Sequence, residues 1–133
     1  MDEARAISAA FGAASDAANA QLRVIGGDLN LVGSRPPLDL LRSGIDVDGS
    51  DLDVVDPKVL GDRSFYTWWE EGNEFSPGRL DYLLVGDSGA NVANAFVLDT
   101  TRMSDESLAR CGLDKTDCAA SDHRPMVIDL IPR

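Results

Sequence analysis

The sequence predicts an α/β fold. Three observations carry that reading. The chain opens on an alanine-rich stretch with apolar residues at helical spacing. Apolar, β-prone runs follow, separated by short segments that carry helix start and stop signals. Several of those runs are hydrophobic on consecutive positions, as strands covered on both faces are. The chain has 133 residues, 44% of them apolar. That fits one domain over residues 1–133 with enough apolar material for a core.

The first helix is expected from residue 3 to about 22, with Ile7, Phe11, Ala14, Ala18 and Leu22 along one stripe and Asp2 as its cap. LRVIGGDLN is then a short strand that ends in glycines. Pro36 and Pro37 start a short helix, PPLDLLRSG, which Gly44 stops. Residues 45 to 62 show little periodicity and read as loop. FYTWW, 65 to 69, is aromatic and β-prone. RLDYLLVGD, 79 to 87, reads as a strand buried on both faces, and NVANAFVLDT, 91 to 100, as another. MSDESLARCG is a short helix capped by Ser104. RPMVIDLIP closes the chain as a strand, with Pro125 at its start, where a missing N–H is tolerated. About five strands with so little helix leave a sheet underdressed, so a covering layer from outside the chain is expected.

Charge narrows the function. The net charge is −11. Such a chain repels phosphate backbones at long range, which argues against broad electrostatic binding to nucleic acid. Catalysis on phosphates stays open, because a bound divalent cation reverses the local sign. Seven aspartates lie between Asp39 and Asp62. They read as a solvated acidic loop, since the spacing of a calcium loop with its closing Glu is absent. No apolar run is long enough for a membrane-spanning helix. The acidic N-terminus lacks the basic and apolar regions of a signal peptide. Cys111 and Cys118 flank a segment able to turn back on itself. A local disulfide, which would imply an extracellular or periplasmic setting, and two free thiols, which would suit the cytoplasm, are both open. Two cysteines and one histidine are too few for a zinc site.

Three short stretches could carry chemistry. In GGDLN, Asp28 and Asn30 sit two apart at a strand end, so both side chains face one way. Together they offer a carboxylate and an amide to one small object, such as a phosphate oxygen; a plain turn is the alternative. In GRLDY, Asp81 lies within an apolar strand, where a carboxylate needs a partner. Arg79, two residues back, is one candidate partner. The only histidine, His123, is the other, with the carboxylate fixing its tautomer. In SDHRP, Asp122 and His123 adjoin each other and suit separate jobs, a metal ligand and a general acid or base; a surface turn is the alternative.

The order GDLN, YTWW, GRLDY, SDHRP resembles the C-terminal half of the endonuclease/exonuclease/phosphatase family, metal-dependent phosphoesterases similar to pancreatic deoxyribonuclease and the abasic-site endonucleases. The resemblance covers nearly the whole chain and implies half of a four-layer α/β sandwich, a mixed sheet with flanking helices. It implies a phosphodiesterase or nuclease, with a phosphomonoesterase or lipid phosphodiesterase as the rival on the same fold. It implies Mg²⁺ or Mn²⁺ as cofactor and a phosphoester substrate, with DNA among the candidates. By the same resemblance Asp28 orients the attacking water and Asn30 contacts the scissile phosphate or the metal. Asp122 is a metal-binding carboxylate. His123 acts on the phosphate or as general base, with Asp81 as its partner. Trp68 corresponds to an aromatic near the substrate groove, or is simply a core tryptophan.

Departures from the family pattern matter too. The first half of the family's fold supplies an asparagine, a metal-binding glutamate and often a further histidine or tyrosine. Those motifs are missing, and Glu3, Glu70, Glu71, Glu74 and Glu106 lie in other contexts. Glu70 and Glu71 follow YTWW, where the abasic-site branch tends to carry a basic residue. The chain is therefore expected to hold part of an active site, with an N-terminal half or a second copy docked on an uncovered sheet face as partner.

Overall fold

In a computed structural model that describes residues 1–133, the chain forms three α-helices and six strands in two three-stranded sheets. It divides into two compact units. The first comprises Met1–Val55, Asp81–Ala93 and Leu130–Arg133; the second comprises Asp56–Leu80 and Asn94–Asp129.

In the first unit, α1 (Asp2–Ala17) starts with Asp2 and Glu3 in its first turn, where carboxylates suit the helix dipole. Asp2 is thus inside the helix, and Met1 holds the cap position without a side-chain bond. The helix also ends earlier than its apolar stripe suggested. Asn19 takes a left-handed φ of 50°, and the amides of Ala18, Asn19 and Ala20 bond back to Ala14, Asp16 and Ser15. This is a helix-ending turn that an asparagine adopts readily, and it leaves Leu22 outside the helix. No residue of α1 is buried.

β1 (Val24–Asp28) pairs antiparallel with β4 (Asp81–Val85), and β2 (Asp53–Val54) pairs with the other edge of β4. A side chain at Gly26 would place its Cβ 2.7 Å from Leu83 Cδ2, so the glycine lets Leu83 lie across the strand. α2 (Pro36–Arg42) begins on its two prolines as expected. It buries Leu38 and Leu41 against Leu52 and Leu84, with Ile25, Leu29, Leu31, Ile45, Val54 and Tyr82 around them. In β4 only Leu84 and Val85 are fully buried; Asp81, Tyr82 and Leu83 are half-buried, so the strand is enclosed at one end rather than along both faces.

The aspartate-rich loop is less uniform than its composition implied. Asp46 is buried and accepts from the Val47 amide at 2.7 Å and from the Ser88 amide and hydroxyl at 3.1 and 2.8 Å. Asp48 is solvated, and its carboxyl is held below the usual range by the Ser50 hydroxyl and amide.

In the second unit β3 (Lys58–Val59) pairs in parallel with Phe96 and Val97 at the end of β5 (Ala90–Val97), a strand whose first four residues belong to the first unit. β6 (Met126–Pro132) completes the order β3–β5–β6. Both short strands, β2 and β3, lie in the stretch that reads as loop; two residues are too few to show periodicity. FYTWW forms no strand, only isolated bridges from Trp68 to Gly78 and His123. Val59, Tyr66 and Val97 form the core here, with Trp69 and Met126 packed on it. α3 (Asp105–Cys111) is capped as the sequence indicated: Ser104 Oγ accepts from the Ser107 amide at 3.2 Å, and Gly112 ends it with a φ of 68°. Cys111 and Cys118 are both free thiols, not a disulfide. Cys111 is exposed at the end of α3, whereas Cys118 is buried and points its Sγ at Leu98 O, 3.4 Å away. No helix is long and apolar enough to cross a membrane.

Candidate active site

The sequence-nominated residues gather in two groups, one in each unit. In the first unit, Asp28 at the end of β1 stands in register opposite Asp81 at the start of β4. Directly opposed residues of an antiparallel pair share a face, with Cβ atoms about 4.5–5.5 Å apart, and like charges there are unfavourable. Two carboxylates therefore face the same way at one sheet end, at a cost that the fold tolerates.

Beyond β1 the chain turns on Asp28 itself. One carboxylate oxygen accepts from the Asn30 amide at 2.9 Å and the other from Asn30 Nδ2 at 3.0 Å. The strand stops at Asp28, so simple alternation does not carry to Asn30; a left-handed φ of 48° brings its amide to the carboxylate instead. The turn and the paired side chains, posed by the sequence as alternatives, coexist. A cavity of about 400 Å³ opens beside this turn, lined by Asp28, Asn30, Leu29, Leu31, Leu38 and Leu41 among others.

In the second unit, Trp68 and the SDHRP segment are laced together. Trp69 N donates to Asp122 O at 2.9 Å, Arg124 N donates to Thr67 O at 2.7 Å, and Trp68 forms a bridge with His123. Side chains follow the backbone. Trp68 Nε1 donates to Asp122 Oδ2 at 2.7 Å. That bond is the main cause holding the Asp122 carboxyl below the usual carboxylate range, so Asp122 is ionised at neutral pH. The Ser121 hydroxyl accepts from the His123 amide at 3.0 Å, closing the turn. Trp68 is half-buried and touches Asp122, neither a core tryptophan nor a free aromatic plate. Arg79 pairs with Asp56 at 2.7 Å and lies 4.6 Å over the Phe65 ring.

Two residues behind this segment escaped the sequence reading. Asp99 is 0% exposed and Arg124 is buried. The Asp99 carboxylate accepts from the Tyr66 hydroxyl, from Thr101 N at 3.0 Å and from Thr101 Oγ1 at 2.6 Å, and it lies 3.5 Å from Arg124 Nε. Burial pushes its pKa up. The Thr101 and Tyr66 hydroxyls, the Thr101 amide and the Arg124 charge outweigh burial and hold the carboxyl below its usual range. The Tyr66 hydroxyl is pushed up, by burial and then by its bond to Asp99. In the sequence only an aspartate inside an apolar run, VLDT, signalled this network.

No three His, Cys, Asp or Glu side chains are grouped so as to hold a metal ion. Asp28 already spends both oxygens on Asn30, and Asp122 has one oxygen on Trp68.

A family model described as Endonuclease/Exonuclease/phosphatase family matches residues 1–123, a span that contains Asp28, Asn30, Trp68, Asp81, Asp122 and His123. Its members are generally hydrolytic, metal-dependent enzymes acting on phosphoesters. No curated protein and no solved structure gives a significant match.

Proposed function

This chain belongs to the endonuclease/exonuclease/phosphatase family, and from that premise we propose that it serves the hydrolysis of a phosphodiester, carrying part of the active site as the C-terminal part of the family's domain. The observation that supports this most directly is the register pairing of Asp28 with Asp81. Two opposed carboxylates at a sheet end repel each other, and an anionic site for cation-assisted phosphate chemistry needs such groups.

In this reading Asp28 orients the attacking water and the Asn30 amide donates to a phosphoryl oxygen. His123 steadies the phosphoryl oxygens or takes the water's proton. Trp68 fixes the Asp122 carboxylate through its indole N–H, beside the groove that takes substrate. Of the ligands for Mg²⁺ or Mn²⁺, this chain offers Asp122 alone, and the others come from outside it. The acidic surface favours small phosphodiesters over long polyanions at low salt.

The test is hydrolysis of bis(p-nitrophenyl) phosphate with Mg²⁺ or Mn²⁺ and with chelator, over a range of protein concentrations, beside His123→Ala. Metal-dependent turnover that drops on the order of 10²–10⁴ in the variant supports the reading. Parallel assays on duplex DNA, a phosphomonoester and a lipid phosphodiester separate the substrate classes. A second reading, a non-catalytic chain that pairs with another copy or another chain, is favoured by α1, sixteen residues long with none buried. A dimer by light scattering, with no turnover even when an N-terminal half of the family's domain is supplied, would decide for it.

A further inference from the structure

An arginine next to the proposed catalytic pair would ordinarily be assigned to the phosphate. The surroundings of Arg124 contradict that. Its side chain is 6% exposed. Its terminal nitrogens donate to three backbone carbonyls: Nη1 to Ser121 O at 2.7 Å and to Cys118 O at 3.3 Å, and Nη2 to Trp69 O at 3.4 Å. Its guanidinium lies 5.8 Å over the Trp69 ring. Nε makes no hydrogen bond and faces Asp99 Oδ2 at 3.5 Å, an ion pair held by charge.

These carbonyls are not scattered. Ser121 is the residue before Asp122, and Trp69 is the residue after Trp68, whose indole holds the Asp122 carboxylate. One planar cation thus ties the segment that presents Asp122 and His123 to the segment that presents Trp68. Only a guanidinium has the fixed fork of donors this requires; an ammonium is a point charge. Asp99 neutralises the buried charge, and it is itself locked by Thr101 and by the Tyr66 hydroxyl.

We propose that the buried Asp99–Arg124 pair, completed by Tyr66, is the positioning device of the Asp122–His123 segment, and that Arg124 does not contact substrate. This rests on the phosphodiester reading above. Its consequence is kinetic: a loosened clamp misplaces Asp122 and His123 without removing any group that binds the substrate. A displacement of about 1 Å can cost on the order of 10²-fold in rate. So kcat should fall while KM holds.

The experiment uses Arg124→Lys, which keeps the charge and loses the fork, with Tyr66→Phe as the milder variant should the first fail to fold. The chain has two tryptophans, so ¹H–¹⁵N spectra show two indole N–H signals. In Arg124→Lys the Trp68 indole signal should shift and exchange with solvent at least about tenfold faster, with the far-ultraviolet spectrum unchanged. Diester kcat should fall about 10- to 100-fold with KM within about twofold. Tyr66→Phe should move both readouts the same way by less. An unmoved indole signal in a folded variant would overturn the proposal. A raised KM at unchanged kcat would overturn it too, because that marks Arg124 as a phosphate contact. A wild-type chain that hydrolyses no diester would mean that the ligands from outside it are essential, and the indole arm would then decide by itself whether the clamp exists.

Discussion

Replacing Asp99 with asparagine removes the buried charge, and with it an acceptor of the Tyr66 hydroxyl, with almost no change of shape. The substitution keeps an acceptor for the Thr101 amide and removes the carboxylate ion-paired with Arg124, 3.5 Å away. Breaking a buried pair from one side costs about 3–5 kcal/mol, because the remaining charge is stranded. Arg124 retains three carbonyl partners that disperse part of its charge, so the lower end, about 3 kcal/mol, is expected for Asp99→Asn. With an unfolding entropy near 2.1 cal/mol/K per residue, that is a fall of about 10 °C in Tm. Urea unfolding should show the midpoint shifted at unchanged slope. The pH dependence is a second signature. The folded carboxyl titrates below its usual range, so the unfolded chain binds the proton first as pH falls. The stability from Asp99 is therefore complete above the unfolded value of about 3.9 and is lost as pH drops through the lower folded value. The difference between wild type and Asp99→Asn should be constant from pH 5 to 8 and should narrow in acid. A loss under about 1 kcal/mol, or a difference that widens in acid, would refute the account of a compensated ion pair.

Three further perturbations probe other parts of the fold. Gly89→Ala puts a Cβ 2.2 Å from Gln21 O and 2.9 Å from Leu22 Cα; because both are backbone atoms, a loss of about 1–3 kcal/mol is expected in thermal unfolding, and a neutral effect would show that the two segments are free to part. Ser104→Ala removes the hydroxyl that accepts from the Ser107 amide; it should cost about 1 kcal/mol and raise amide exchange in the first turn of α3, and unchanged exchange would count against the cap. Titration with a thiol reagent should find one fast thiol, Cys111, in the native chain and two after unfolding; no reactive thiol in the unfolded, unreduced chain would mean that a disulfide does form.

The sequence made most of this fold legible where an element carries its own stop signals. The proline start of α2, the serine cap and glycine stop of α3, and the last strand are local features, and they lie where the residues indicate. Elements set by their neighbours were hidden. The two-residue strands β2 and β3 exist because longer strands lie beside them, and FYTWW stays irregular because its backbone is spent on Gly78 and the SDHRP segment. The thiols stayed ambiguous because spacing permits a disulfide that burial of Cys118 against Leu98 does not use. The candidate site divides the same way. Asp28, Asn30, Asp122 and His123 sit in short polar motifs that can be read directly. Arg124 and Asp99 could not be, because their roles depend on contacts from residues dozens of positions away.

Asn30 separates a functional group from a structural one. It occupies a left-handed φ of 48° and lends its side-chain amide to Asp28 on an exposed turn. Glycine adopts that backbone freely, so Asn30→Gly removes a steric cost of up to about 1–2 kcal/mol. Against this stand the greater freedom of the unfolded glycine chain, about 0.4–1 kcal/mol, and the loss of a solvent-exposed bond worth about 0.5–1.5 kcal/mol. These nearly cancel, and stability should change by less than about 1 kcal/mol. Any purely structural reason for an asparagine here is then absent, since glycine serves the turn as well. If the amide donates to a phosphoryl oxygen, hydrolysis should fall on the order of 10²-fold, as when one such donor is lost elsewhere. A drop in stability above about 2 kcal/mol would show that the Asp28–Asn30 pair holds the turn together, and its place in the proposed chemistry would go with it.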